Sequence, residues 1–308
     1  MKIDKIDPSW YNEIKYGGNK SNRGIYLNGQ TSNRWLVKTN KQKVSNNPES
    51  RVTIHRQTVL SEYVATYITG DVGLYAQEVT LLLNENDGLC VACRDFTRPE
   101  ESIVLMSDNS SRDTKSERFV VNDFYNYVEP VLFERLPSSI KQALKEQYFK
   151  QCVFDYLIAN PDRHLGNWGY IINRETGDLR LCPCFDFGAG LGSQIRIYTN
   201  NIEEIVHSKE TEEITKLYQT FNSMEVNEKN IKEGNLPKEF YDACEYFNFE
   251  NAISVSKNVI DRLKGSGFVE NIRLDLMFEI IKYRASILSK FSSRDFSYSN
   301  ELDNVGKY

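Results

Sequence analysis

The sequence contains no apolar run long enough to cross a membrane, and its first residues, MKIDKIDPSW, lack the apolar core of a signal peptide. These absences predict no membrane association and a cytoplasmic location. Excess positive charge is missing too. A net charge of −5 and a pI of about 5.5 argue against broad electrostatic binding to nucleic acid. No internal repeat is visible, and polar low-complexity sequence is confined to SDNSSRDTKSER, Ser107 to Arg118. Cysteine is sparse: the six residues are dispersed and fit free thiols in a reducing compartment. Two close pairs, Cys90/Cys93 and Cys182/Cys184, raise the alternative of a four-cysteine zinc site. Cys90 and Cys93, however, lie in the strand-like GLCVACRDF, where positions three apart face opposite sides of a sheet. A zinc ribbon places such a pair on a tight turn, so buried strand cysteines are expected instead.

What is present suits two lobes sharing a cleft. The chain has 308 residues, 40% of them hydrophobic and 12% aromatic, enough to fill a sizeable core. Up to Phe96 the pattern is β-rich with one helix. RGIYLNG and RWLVKTN read as strands, RQTVLSEYVATYITGDVG as an amphipathic helix ended by Gly70 or Gly73, and EVTLLLNENDGLCVACRDF as a hairpin. After Phe96 the pattern becomes helical: VNDFYNYVEPVLFERL, SSIKQALKEQYFKQCVFDYLI, TEEITKLYQTF, PKEFYDACEYF, ENAISVSKNVIDRL and VENIRLDLMFEIIKYRASILSKF all carry apolar residues three and four apart. The expectation is an α+β, bilobal fold: a small β-rich lobe over residues 1–97, a connection near Arg94 to Pro99, and a larger helical lobe over 98–308.

The stretch DYLIANPDRHLGNWGYIINRETGDLRLCPCFDFGAG, Asp155 to Gly190, carries the chemistry. A helix should stop at Pro161, because the residue before a proline is pushed out of the α region. The loop PDRHLGN follows, with Gly166 and Gly169 permitting unusual backbone angles. WGYII and DLRLCP read as a hairpin that returns the chain to Phe185-Asp186-Phe187-Gly188. Helix, loop and hairpin would therefore bring Asp162, Asn167 and Asp186 to one point. Phosphoryl transfer needs a carboxylate to orient or deprotonate the attacking hydroxyl, and an amide oxygen with a second carboxylate to hold Mg²⁺ on nucleotide phosphates. Asp162, Asn167 and Asp186 supply that set in the usual order. Ordinary turn residues are the competing reading for DRH alone, and the full D-R-H-x-x-N, hairpin and D-F-G series argues against it.

The first lobe would supply a nucleotide clamp. Gly17-Gly18-Asn19-Lys20-Ser21-Asn22-Arg23-Gly24 lies between strand-like segments, and its backbone N–H groups could approach phosphate oxygens, although it does not fit G-x-G-x-x-G. Lys38, on the strand WLVK, shares a face with Leu36 and is expected to point into the cleft toward nucleotide phosphates. Glu62 on the following helix is the expected partner of Lys38, with Glu78 as a competitor. Val91 to Phe96 would form the hinge, where Arg94 and Phe96 flank the adenine position and recognition uses backbone groups.

These residues resemble the HipA-like serine/threonine kinases, most of all their short, single-chain CtkA-type forms. GGNKSNRGIYL is similar to that family's phosphate loop, WLVKT to its lysine strand, and DYLIANPDRHLGNWGYI and LCPCFDFG to its catalytic loop and metal motif. The resemblance implies a protein-kinase-like fold using ATP and Mg²⁺. It makes Asp162 the base, Asn167 and Asp186 the metal ligands, Lys38 a phosphate contact and His164 the histidine that holds the loop. Ser21 stands where many members autophosphorylate, although outside the commonest sequence context. Only about sixteen residues precede Gly17, so the extra amino-terminal subdomain of the long forms is not expected. The resemblance also implies a protein substrate, such as an aminoacyl-tRNA synthetase or a host protein. Toxin members pair with a small antitoxin; others are secreted effectors, which here would require export without a cleavable signal.

Two other readings compete. D-R-H-x-x-N also resembles the loop of phosphoinositide kinases, so a small-molecule or lipid kinase is an alternative, although no basic membrane-facing cluster is evident. A nucleotide-binding regulator without transfer activity is the other, and the joint presence of Asp162, Asn167 and Asp186 argues against it. The segment Arg180 to Tyr198 is expected to be the activation-loop equivalent, with Arg196 and Tyr198 near the substrate cleft.

Overall fold

The computed structural model describes residues 3–11, 23–30, 32–40, 42–43, 54–55, 57–86, 88–109, 123–130 and 136–292. The glycine loop expected to bind phosphate, with Gly17, Gly18 and Ser21, lies outside the described residues.

Along the first hundred residues run β1 (Asp4–Lys5), β2 (Arg23–Tyr26), β3 (Arg34–Thr39), β4 (Gln42–Lys43), β5 (Ile54–His55), helix α1 (Thr58–Asp71), β6 (Val79–Asn84) and β7 (Gly88–Arg94). Five of these strands form one sheet in the order β1-β6-β7-β3-β2. Its centre is antiparallel, and β1 joins β6 in parallel at one edge. Alternation along the strands gives the sheet two apolar faces. Ile25, Trp35, Val37, Leu82, Cys90 and Ala92 pack together on one. Val79, Leu81, Val91 and Cys93 join the main core on the other. Cys90 and Cys93 thus fall in opposite cores, and all six cysteines are buried free thiols. Lys38 is registered against Val91 and Leu36 against Cys93, so the lysine stands on the main-core face.

Helix α1 covers that face. It is not the amphipathic helix its sequence suggests, because Val59 to Ala65 are buried without a break. A helix buried all round needs neighbours on both sides. The sheet lies on one side, and on the other lies α7 (Phe249–Lys264), defined with the later elements below. The helix runs through Gly70 and stops at Asp71, and Gly73 takes the left-handed conformation (φ 75°) that turns the chain away.

After the connection come β8 (Glu101–Leu105), α2 (Ser138–Leu157), β9 (Gly169–Asn173), β10 (Leu179–Leu181), α3 (Ile202–Val206) and α4 (Lys209–Ile214). They are followed by β11 (Thr220–Phe221), β12 (Met224–Glu225), α5 (Glu228–Glu233), α6 (Lys238–Glu245), α7 and α8 (Asn271–Leu288). The hairpin predicted from WGYII and DLRLCP is present as β9–β10, and β8 extends it into a three-stranded sheet. The strand β8 falls where the sequence pattern was taken to have become helical. Five residues, ESIVL, are too few to display a period, and their pairing with β9 decides the conformation. Gly169 is needed here for close approach: a side-chain carbon on it would collide with the Val104 carbonyl.

The second departure is TEEITKLYQTF, expected to be one helix. Its helix ends at Ile214, and Thr220–Phe221 pairs with Met224–Glu225 instead. Asp123 imposes the turn between them. Its carboxylate accepts from the Thr220 hydroxyl and the Asn222 amide, both at 3.1 Å, and from the Ser223 amide, while Asn222 and Ser223 take left-handed angles.

Candidate active site

Lys38 projects from near the carboxy-terminal end of β3 into the space between the sheet, α1 and the segment after β10. Its Nζ lies 3.0 Å from Glu62 Oε2 and 2.9 Å from Asp186 Oδ1. Burial alone would drive the ammonium toward neutrality, but Asp186 and Glu62 overcome it and hold the Lys38 pKa well above its ordinary value. The competition between Glu62 and Glu78 is decided by strand geometry. Glu78 pairs at 2.7 Å with Arg94, whose side chain leaves β7 on the face opposite Lys38. Glu62 is 1% exposed, and its second oxygen, Oε1, is buried without a hydrogen-bond partner among the described residues. Gly188 lets it sit there, since a side-chain carbon at that position would meet Glu62 Oε2 at 3.3 Å.

The residues of the loop after Pro161 are assembled by a buried ion pair that the sequence pattern does not reveal. Asp155 lies near the end of α2 and is fully buried. It accepts from Arg163 Nε at 2.8 Å and Nη2 at 3.1 Å, from Asn160 Nδ2 at 2.8 Å and from Gln219 Nε2 at 3.2 Å. Burial pushes the Asp155 carboxyl up, and the adjacent guanidinium opposes that shift. Arg163 Nη1 then reaches two carbonyls, Asn167 O at 2.9 Å and Phe185 O at 2.8 Å. One guanidinium therefore ties the loop bearing Asp162 and Asn167 to the residue preceding Asp186. The only sequence cue was an acid inside the apolar run VFDYLI, where an unpaired carboxylate would be costly.

Within the loop, Asn167 Nδ2 donates to Asp162 O at 3.0 Å, which leaves the Asn167 amide oxygen as the acceptor available to a cation. The Asp162 side chain is exposed. His164 Nδ1 accepts from Gly166 N at 3.0 Å and caps the short turn Leu165–Asn167. Asp186 adopts φ 62°, a left-handed conformation that non-glycine residues enter at a cost and that concentrates at functional sites. Among the described residues no group of three or more His, Cys, Asp or Glu could hold a metal ion. Asn167 and Asp186 fit Mg²⁺ in another way, because that ion takes one or two protein ligands and completes its shell with water and substrate phosphates.

At the connection, the Phe96 and Phe185 rings lie 5.8 Å apart, and Arg180 Nη2 donates to Phe96 O at 2.8 Å. Arg180 is itself gripped by Glu101, at 2.9 Å through Nε and 2.6 Å through Nη2. Those hydrogen bonds outweigh burial and hold the Glu101 carboxyl down at about 2. The Arg94 carbonyl accepts from Gln77 Nε2 at 2.8 Å. Of the expected site residues within the described chain, Lys38, Glu62 and Asp186 meet directly. Asp162, His164 and Asn167 share one loop joined to them through Arg163. Phe96 lines the same region, and the Arg94 side chain stands apart.

The sequence profile of the HipA-like C-terminal domain matches residues 11–252, well over half of the chain. Among curated proteins, the chain is 31% identical over 144 residues to the serine/threonine-protein kinase CtkA of Helicobacter pylori. That alignment spans 44% of this chain and only 41% of that protein's length. Among solved structures, the crystal structure of a Helicobacter pylori proinflammatory kinase CtkA superposes with a TM-score of 0.72 at 20% identity, over 95% of this chain and 97% of that one. The latter likeness is one of fold, and it makes the architecture kinase-like. A Lys–Glu–Asp constellation on that fold is in keeping with the profile match, and the chain belongs to the HipA-like C-terminal domain family.

Proposed function

We propose that this chain is an ATP- and Mg²⁺-dependent serine/threonine protein kinase. The observation that carries the reading is Lys38, held at 3.0 Å from Glu62 and 2.9 Å from Asp186 while Arg163 joins Asp186's neighbour to the Asp162 loop. This arrangement suits a nucleotide triphosphate whose phosphates meet Lys38, whose base lies near Phe96 and Phe185, and whose metal would be held by Asn167 and Asp186. Bound magnesium would supply charge neutralisation on the phosphate oxygens. Asp162 orients the acceptor hydroxyl and takes its proton. The acceptor oxygen bonds to the γ-phosphorus as the bond to the β,γ-bridging oxygen breaks, and ADP leaves with that electron pair. Positioning and electrostatics lower the barrier, and no covalent enzyme intermediate is needed.

The finer reading is a two-lobed enzyme divided near residue 97, able to label itself on Ser21 and acting on a protein substrate as a toxin or effector. Support for it is the family membership together with the placement of the connection between β7 and β8. The test is incubation of purified protein with Mg²⁺ and γ-labelled ATP, followed by mass spectrometry of the chain and of added extract proteins. Label that disappears in Asp162→Asn supports the reading. Nucleotide binding with no transfer to chain or extract would favour a regulator instead.

A further inference from the structure

From Asp186 to Tyr198 the chain reads DFGAGLGSQIRIY, and Asp186, Leu191 and Gly192 all take left-handed angles. Two of these three are not glycine, so the segment keeps its path only if its surroundings dictate it. It is fastened from three directions. Leu191 N donates to Ile158 O at 2.6 Å, at the end of α2. From α1, Ser61 Oγ donates to Phe187 O at 2.8 Å, and at that helix's start Gln57 N donates to Ser193 O at 3.0 Å. From α8, the two terminal nitrogens of Arg273 donate to Gly192 O at 3.1 Å and Ile195 O at 3.0 Å.

We propose that Arg273 is a positioning residue that fixes the segment after D-F-G in its transfer-competent path, and that it does so without phosphorylation of that segment. The inference rests on the kinase reading above. Ordering such a segment through an added phosphate requires an arginine facing a phosphorylated side chain. Here the guanidinium fork is satisfied by main-chain carbonyls, which every copy of the protein carries. The one serine or threonine between Asp186 and Tyr198 is Ser193, which is fully buried, its hydroxyl oxygen without a hydrogen-bond partner among the described residues. A seated segment therefore keeps that hydroxyl away from any kinase. Gly192 completes the clamp, because a side-chain carbon there would come within 2.7 Å of Ile195 Cδ1 and 2.8 Å of Ile280 Cδ1. The same segment touches α1, which carries Glu62, so losing the fork should disturb the transfer geometry more than nucleotide affinity.

The test compares wild type, Arg273→Ala and Arg273→Lys by three measurements. These are label transfer from Mg·ATP to the chain and to dephosphorylated casein, affinity for Mg·ATP, and hydrogen exchange of amides 187–198 without nucleotide. Arg273→Ala should lower kcat roughly 10- to 100-fold, the loss expected of a misplacement near 1 Å. Mg·ATP affinity should stay within about twofold, and exchange in 187–198 should rise. Arg273→Lys, with one donor group in place of the fork, should fall between. Wild type treated with phosphatase should keep its rate, with no phosphate mapped to 187–199. An unchanged kcat in Arg273→Ala, or activity that depends on phosphate within 187–199, overturns the proposal. Should wild type transfer to neither acceptor, the kinase reading fails at this assay. Exchange then decides the clamp, because amides 187–198 that stay protected in both variants overturn it and raised exchange supports it.

Discussion

Lys38 stands between Glu62, which is fixed and buried, and Asp186, whose side chain is 44% exposed, and the loss of each should read differently. Asp186→Ala removes both a lysine partner and the proposed metal ligand, so Mg·ATP binding and transfer should vanish together in calorimetry and label incorporation. Glu62→Gln keeps the shape and one acceptor but lets Lys38 drift. Transfer should fall by about 10- to 100-fold while Mg·ATP still binds. Arg163 lies under the loop and touches carbonyls rather than reacting atoms, so its loss is first a matter of stability. Arg163→Met strands the Asp155 carboxylate in the core and should cost about 3–5 kcal/mol in urea denaturation. Replacing Asp155 by Leu in the same chain should recover much of that loss, since the stranded charge is then gone.

At the scale of elements, Arg180 on β10 pairs with Glu101 at the start of β8 and also holds the connection after β7 through the Phe96 carbonyl. The Glu101 carboxyl is held near 2 in the folded protein against an ordinary value of 4.5. A depressed folded pKa means the pair's stabilisation is fully present above 4.5 and fades as pH falls toward 2. The thermal midpoints of wild type and Glu101→Gln should therefore differ most above pH 5 and draw together near pH 3. The short turn between β11 and β12 rests on the Asp123 carboxylate, and Asp123→Ala should cost about 1.5–3 kcal/mol by removing the charge-assisted hydrogen bonds it accepts from the turn. Long elements with regular apolar spacing were legible from sequence: α2, α6, α7, α8 and the β6–β7 hairpin fall where the pattern put them. So did Lys38's face and the hairpin that returns Asp186. The pattern failed where a distant contact decides conformation. β8 exists because β9 is beside it, β11 because Asp123 holds its turn, and Val59 to Ala65 of α1 are buried because α7 lies over them. Arg163 and Arg273 were illegible for the same reason, since a cation's value depends on which carbonyls the fold turns toward it.

For the whole molecule, a ligand bridging the sheet and the helical part should stabilise both together. Mg·ATP at about a hundred times its dissociation constant should add about 2.7 kcal/mol to stability. A chelator, or Asp186→Ala, should abolish that rise in thermal midpoint. Among the described residues no helix is long and apolar enough to cross a membrane. Helix α1 also has a consequence for how the protein is made. Its carboxy-terminal end is held by residues encoded far downstream: Tyr246 Oη donates to Gly73 O at 3.0 Å and Asn251 Nδ2 to Asp71 O at 3.1 Å. Glu62 is therefore translated long before the helices that seat it. At roughly 5–20 residues per second, the ribosome needs on the order of ten to forty seconds to travel from one to the other. Only in the last third of that interval, once residue 186 has been added, does the nascent chain carry Lys38, Asp162 and Asp186 together, still without a fixed Glu62. A product truncated before α7 should therefore incorporate no label from γ-labelled ATP in the assay where the full chain does.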